Sequence, residues 1–514
     1  MLLLHILLVG FFGLAIALYR YIRNRHRFFA DRDFPCAPNP DFLFGHVKGM
    51  FTSRHACYIN QELYQSFKGK GERFGGFSFF TINSVMVVEP ELIKSILVKD
   101  FNVFHDRGIY CNPKADPLSG HLFLLEGPQW RSLRQKLSPT FTSGRMKGMF
   151  GTILGVADEF NRFLQDSYKQ QPEMEMKEIL ARFTTDVIGS CAFGLDCNTL
   201  KNPNSDFLKH GKRVFEQSVL DVAKFVFCSV FKSAALAVGL KLTPDSVEKF
   251  FIGLTRDTVE YREKNNIKRN DFMNLLLQIK NQGYLEDKAG ETTSPDSAGM
   301  TIEELAAQCF VFFVAGFETS STTMNFCLYE LAKNPDIQER LRSEIETAIA
   351  ENNGEITYDL LMGIKYLDNV VNETLRKYPP VESLNRIPLV DYKIPDSEHV
   401  IPKQTMVVIP VYAMHHDPDI YPEPERFDPD RFLPEQVQSR HPYTFIPFGE
   451  GPRICVGLRF GVMQTKIGLM TLLRHYKVSP SSRTPDKLLF DAKMFVLSPL
   501  GGNYLRIEKI SAEQ

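Results

Sequence analysis

One short string constrains this chain more than any other: Phe448-Gly449-Glu450-Gly451-Pro452-Arg453-Ile454-Cys455-Val456-Gly457. Its cysteine stands just ahead of residues 458–474, whose pattern reads as a helix. The positive end of a helix dipole stabilises a thiolate there. Glycines on both sides let the backbone approach a flat ligand and leave amides free to point at sulfur. Arg453 offers a fixed charge of the kind carboxylates need, and Phe448 offers a flat apolar wall. The fold must therefore press a loop against a planar group and set a helix start behind it.

The body around that loop reads as helical. Thr301 and Glu304 make a capping pattern ahead of an apolar run, so a helix is expected from about Ile302 to about Lys333, before Pro335. Such length suggests the central helix of a large body. The 514 residues, 44% of them hydrophobic, are ample for its core. Short β-rich runs lie at residues 76–88, at residues 405–410 and near the C-terminus, and there are no internal repeats. Residues 281–300, rich in Gly, Ser, Thr and acids, read as an exposed loop. The expected fold class is mainly α, with a small β-rich region.

Residues 2–19 are almost continuously apolar, with His5 the one polar intruder. About 18 residues is near the lower limit for a membrane-crossing helix. Arg20, Arg23, Arg25 and Arg27 follow at once. A cleaved signal would carry its charge first and end in small residues, and a mitochondrial transit peptide would be amphipathic and Arg-rich from its start. A signal anchor is the better reading, with the arginines and all that follows in the cytosol. Pro35, Pro38 and Pro40 then stiffen the connection. The expected organisation is an anchor over 1–27, a proline-rich linker over 28–45 and one catalytic domain over 46–514. Residues 219–242 form a second apolar stretch, interrupted by Asp221, Lys224 and Lys232. A core helix and a membrane-dipping or substrate-access element both remain open for it. The 9 cysteines are odd in number and scattered, which suits a reducing compartment rather than a disulfide framework or a zinc site. A net charge of -1 gives no ground for a nucleic-acid partner.

The Cys455 string resembles the haem-binding signature of the cytochrome P-450 superfamily, and the likeness runs from the apolar segment to the end. The resemblance implies that fold: a large helical body, a small β-rich region and an N-terminal membrane helix. It makes Cys455 the axial thiolate ligand of haem b iron, within a wall formed by Phe448, Gly451, Arg453 and Gly457. Ala315-Gly316-Phe317-Glu318-Thr319 in the long helix then matches the oxygen-binding groove. Ala315 and Gly316 would lie over the haem, Thr319 would orient dioxygen, and Glu318 would relay protons towards solvent. Trp130 and Arg134, one helical turn apart, and Arg386 would join Arg453 at the haem propionates. Glu373 and Arg376 match the family's buried E-x-x-R pair. The longer pattern through Pro424, Phe427, Pro429, Asp430, Arg431 and Phe432 assigns Arg431 as its third member, leaving Arg426 as a decoy.

The family's substrate-facing segments map onto Phe104, Phe123, Phe312, Phe313, Phe317, Val381, Leu384, Phe495 and Leu497. Several could equally be plain core, since 42 phenylalanines must go somewhere. Arg131, Arg134, Lys136, Arg145 and Lys147 make a basic region, and Arg131, Lys136 and their neighbours form either a solvated face or a docking patch for an acidic electron donor. The text around Asp106-Arg107-Gly108 and Ser138-Pro139-Thr140 resembles insect microsomal members associated with plant toxins and insecticides. The implied activity is a monooxygenase of the endoplasmic reticulum membrane acting on hydrophobic small molecules. Its electrons would come from NADPH through a separate reductase, with cytochrome b5 a further candidate donor, because the chain carries no flavin or nicotinamide fingerprint. Two rivals stay open: a haem-thiolate isomerase or dehydratase acting on peroxides, and a non-catalytic haem carrier or gas sensor. The Glu318-Thr319 pair argues against both.

Overall fold

The computed structural model describes residues 1–283 and 299–510. Of the expected loop at 281–300, residues 284–298 lie outside the described residues. The central helix spans Ile302–Lys333, as its capping residues predict. Thr301 accepts the Glu304 amide at 3.1 Å, and the Glu304 carboxylate accepts the Thr301 amide at 2.9 Å. Such a cap stabilises a helix by about 1 kcal/mol. The helix is apolar on nearly every side and is accordingly buried from Leu305 to Ala332, apart from a few positions such as Ala315 and Thr319. Helices Met176–Ile188 and Leu458–His475 pack against it. Two polar contacts set their register: Thr184 Oγ1 donates to the Phe317 carbonyl at 2.9 Å, and Gln464 Nε2 donates to the Gly316 carbonyl at 2.9 Å.

The β content is small. Phe74–Phe79 and Ile82–Val87 form an antiparallel hairpin where the sequence showed a single short β-rich run at residues 76–88. Met406–Ile409 pairs parallel to the second strand and antiparallel to Leu384–Arg386, completing a four-stranded sheet. Glu173–Glu175, Tyr504–Lys509 and Tyr476–Pro480 make a three-stranded antiparallel sheet that joins the C-terminal strands to one from the first half of the chain. All nine cysteines are unpaired.

The N-terminal helix, Leu2–Arg27, is long and apolar enough to cross a membrane, and none of its apolar window is buried in the body. Its basic end does dock. Arg25 Nε donates to the Thr81 carbonyl at 2.9 Å, and the Tyr19 and Phe42 rings stack at 5.5 Å. Residues 28–45 continue along the four-stranded sheet. Gly76 donates to the Pro35 carbonyl at 2.7 Å, and Phe34 packs on Phe74 at 5.1 Å. The stretch at 219–242 is not core. It forms Val219–Val230 and Lys232–Ala237, and Val219, Leu220, Phe231 and Val238 lie exposed, Val219 by 85%. Cys228 and Ala235 are its buried residues within those two helices.

Candidate functional site

Cys455 sits three residues before the first residue of the Leu458–His475 helix, with Gly457 as the cap. The loop ahead of it is closed by its own backbone. Cys455 donates its amide to the Phe448 carbonyl at 2.9 Å, and Gly449 donates to Ile446 at 3.0 Å. Gly451 is required twice over. Its φ is +73°, and a Cβ there would lie 2.0 Å from the Leu97 carbonyl oxygen. The Cys455 sulfur is enclosed by protein, yet it carries open surface because it faces an internal cavity. Burial pushes its thiol up, while the Gly457 amide and the charges of Arg134 and Arg107 draw it back down.

That cavity measures about 340 Å³. Ala315, Gly316 and Thr319 of the central helix line it together with Cys455, Phe448 and Gly457. The glycine at 316 answers to packing: a Cβ there would meet Ile188 Cδ1 at 2.3 Å. Thr319 donates its hydroxyl to the Ala315 carbonyl at 2.7 Å. Glu318 turns the other way. Its buried carboxylate holds Lys177 Nζ at 2.8 Å, and it is not part of the cavity wall. Of the substrate-facing set, Phe123, Phe312, Val381, Leu384 and Phe495 reach the cavity. The others do not. Phe313 and Phe317 stack on each other at 5.7 Å across the helix from it, Phe104 packs on Tyr392, and Leu497 joins the cluster around Phe490. Helical spacing explains the split, since neighbours such as Phe312 and Phe313 point about 100° apart.

Four guanidiniums converge on one end of the cavity: Arg134, Arg386 and Arg453, with Arg107 beside them. Trp130 lies under Arg453, its ring 4.1 Å from the guanidinium carbon. Arg453 donates to the Leu125 carbonyl at 2.8 Å and lies 3.6 Å from Asp106. Its Nε and Nη1 are buried without partners, as are Nε of Arg386 and Nε of Arg107. Burial and mutual repulsion draw these groups down, Arg453 to about 9 and Arg107 to about 10, with Arg386 also well below its ordinary value. A guanidinium does not shed its proton in a protein, so buried donors this crowded need an anion. Two propionates, a planar ring and a sulfur-ligated metal match the orphaned donors, the cavity and the exposed sulfur. The residues present therefore fit a haem. Sequence reasoning missed Arg107. It lies in an irregular loop, where no periodicity reports the direction of a side chain.

The family model for cytochrome P450 matches residues 35–506. The chain belongs to the cytochrome P450 family. Similar proteins are insect cytochromes. Probable cytochrome P450 6a14 of Drosophila melanogaster is 46% identical over 476 residues, covering 91% of this chain and 92% of the relative. Cytochrome P450 6a9 of the same fly is 44% identical over 507 residues, 98% of each. Cytochrome P450 6A1 of Musca domestica is 42% identical over 500 residues, 96% of each. This P450 is a monooxygenase with haem b as its cofactor, held in the family through an axial cysteine thiolate.

Away from the cavity, the P450 chain buries Glu373 and Arg376 completely. Arg376 forks onto the carboxylate through Nε at 2.7 Å and Nη2 at 2.8 Å, and it also donates to the carbonyls of His415 and Pro424. Arg431 comes to 3.5 Å of Glu373, whereas the Arg426 side chain is 64% exposed. Arg426→Ala should shift stability by no more than about 0.5 kcal/mol. Arg431→Ala should cost roughly 1.5–3 kcal/mol. The thermal midpoint of haem loss in the two variants checks the contrast.

Proposed function

We propose that Cys455 is the iron ligand of a membrane-anchored monooxygenase that oxidises lipophilic foreign compounds, plant toxins and insecticides among them. The observation that carries this reading is the cavity itself, an apolar chamber that holds Cys455, Thr319 and the orphaned guanidiniums in one wall system. When bound, the haem iron supplies dioxygen activation, and thiolate ligation favours O–O cleavage. The chain's own residues do the rest. The Gly457 amide donates to the Cys455 sulfur and tempers its charge. Arg107, Arg134, Arg386 and Arg453 orient the cofactor by its propionates, and Trp130 backs Arg453. Thr319 Oγ1 holds a proton on Ala315 O at rest and presents it to the cavity on rotation. Glu318, buried on Lys177 outside the cavity wall, would serve as the next group of that relay. Phe123, Phe312, Val381, Leu384 and Phe495 select apolar substrates by burial.

Electrons would come from NADPH through a separate reductase, with cytochrome b5 a further donor. Arg131 and Lys147, both exposed, offer a basic docking face, although Arg134 belongs to the cavity instead. The anchor would lie in the endoplasmic reticulum membrane with the body in the cytosol. The outward apolar face of residues 219–242, near Phe51 through Phe225, gives the body a second membrane contact.

The decisive experiment compares turnover of a lipophilic substrate with NADPH, reductase and dioxygen against turnover of a lipid hydroperoxide alone. Activity confined to the hydroperoxide would sink the monooxygenase reading. Within it, Thr319→Ala should cut product formed per NADPH consumed by about 100-fold or more, the lower end of what one positioned acid–base group contributes. Unchanged coupling would remove Thr319 from the relay. Deleting residues 2–27 should leave protein that binds vesicles only weakly and is released by washing, as flotation would show.

A further inference from the structure

Residues 102–126 carry little regular structure, only the short turn Pro117–Ser119, yet Leu122 and Phe123 of this segment form part of the cavity wall. Something other than a backbone ladder must hold them there. Arg453 holds the Leu125 carbonyl, and Asp106 and Gly108 are bonded to Gly127 and Glu126. Two further ties hold the stretch between them. Upstream, Tyr110 donates its hydroxyl to the Leu240 carbonyl at 2.6 Å, and Asp116 accepts the amides of Leu242 and Thr243 at 3.1 and 2.9 Å. That half is therefore fixed to residues 240–243. Downstream, at Gly120 and Leu122, the tie is a single side chain of the central helix. Gln308 Oε1 accepts the Leu122 amide at 3.0 Å, and Nε2 donates to the Gly120 carbonyl at 3.1 Å. Nε2 also donates to the Glu304 carbonyl at 3.1 Å, one helical turn back, which holds the amide in one orientation. Gln308 is fully buried, so no water can substitute for these bonds. Turned over, the amide would set N–H against N–H and C=O against C=O.

The turn around that contact is dry and crowded. His121 is buried between Phe310 and Phe123, with ring centroids 6.2 and 6.4 Å away, and its Nδ1 accepts the Phe123 amide at 3.2 Å. We infer that Gln308 is a positioning residue for specificity: its side-chain amide reads the Gly120–Leu122 backbone and thereby sets how far Leu122 and Phe123 project into the substrate chamber. This rests on the monooxygenase reading of the cavity. Because this tie is to the central helix, it registers the wall to Ala315 and Thr319 independently of the tie to residues 240–243.

The test uses full-length holoprotein and a series of alkylbenzenes from toluene to octylbenzene. Gln308→Leu removes both bonds. Gln308→Glu keeps the volume and the acceptor for Leu122 but, ionised, loses the donor to Gly120. The readouts are the dissociation constant of each probe from its Soret shift, the ratio of benzylic to terminal-chain alcohols, and the fraction of protein with the thiolate carbon monoxide band. We expect the long-chain probes to change in affinity by roughly fivefold or more, as one unmade backbone hydrogen bond corresponds to. Toluene affinity should stay nearly constant, and the alcohol ratio should shift in both variants with Gln308→Glu the milder. If Gln308→Leu fails to bind haem, Gln308→Glu decides. Unchanged probe affinities and alcohol ratios, with only a lower thermal midpoint, would reduce Gln308 to a structural residue and overturn the inference. Absence of any oxidation by the wild type would count against the monooxygenase reading, while the binding series would still decide Gln308.

Discussion

Replacing Cys455 with alanine is expected to abolish oxygen insertion completely and to remove the far red-shifted Soret band of the reduced, carbon-monoxide-bound wild type. The physical case rests on what the sulfur does and does not touch. Its open surface faces the cavity, and its backbone is held independently by the Phe448 carbonyl. The turn is shaped by Gly451, not by the thiol. Deleting one sulfur that packs against a void should therefore cost the apoprotein little, within about 1 kcal/mol. Function is lost because no second thiol lines the cavity beside the arginine cluster. The nearest cavity cysteine by sequence, Cys191, belongs to another wall, and burial pushes its thiol up to about 12. Circular dichroism separates loss of ligand from loss of fold. A wild type that showed a histidine-type band would defeat the assignment outright.

The second large effect is expected at Arg376, far from any substrate. Arg376→Ala strips Glu373 of its forked partner at zero exposure and leaves the His415 and Pro424 carbonyls without it. Breaking such a pair by removing one member costs about 3–5 kcal/mol, because a charge remains buried without compensation. A typical domain has only about 5–15 kcal/mol in hand, so little holoprotein should accumulate. Burial raises Glu373 while Arg376 holds it down, so the lone carboxyl would protonate more readily once the arginine is gone. The double variant Glu373→Leu with Arg376→Met should be less damaged than Arg376→Ala alone, since it removes both charges together. Comparing carbon monoxide band yields and denaturation midpoints of the single and double variants tests this. Equal damage in both would mean that the carbonyl contacts, rather than the buried charge, dominate.

Much of the architecture was legible because it is local. Thr301 and Glu304 mark the start of the central helix, and its apolar surface on nearly all sides marks it as buried. The glycine-rich string ahead of Leu458 announces a tight loop and a thiolate at a helix start. The hairpin at residues 74–87 was harder, because its turn at Phe80 carries no glycine or proline even though φ there is +51°. The three-residue strands Glu173–Glu175 and Leu384–Arg386 were invisible, being too short for any alternation to register. Residues 219–242 were ambiguous for a related reason. Apolar composition reports a wish for burial and does not say whether protein or lipid supplies it.

By itself the sequence determined the family, the cysteine, the long helix and the mainly α class, since each rests on residue types at fixed short spacing. Tertiary structure alone decided the rest. It turned Phe312 into the cavity and Phe313 away, and it placed Glu318 on Lys177 instead of in the chamber. It added Arg107 to the buried arginines and tied Leu122 to Gln308 across 186 residues of chain. The reason is geometric. Spacing along a chain specifies which side chains share a face, but only the packing of one element on another specifies what that face meets.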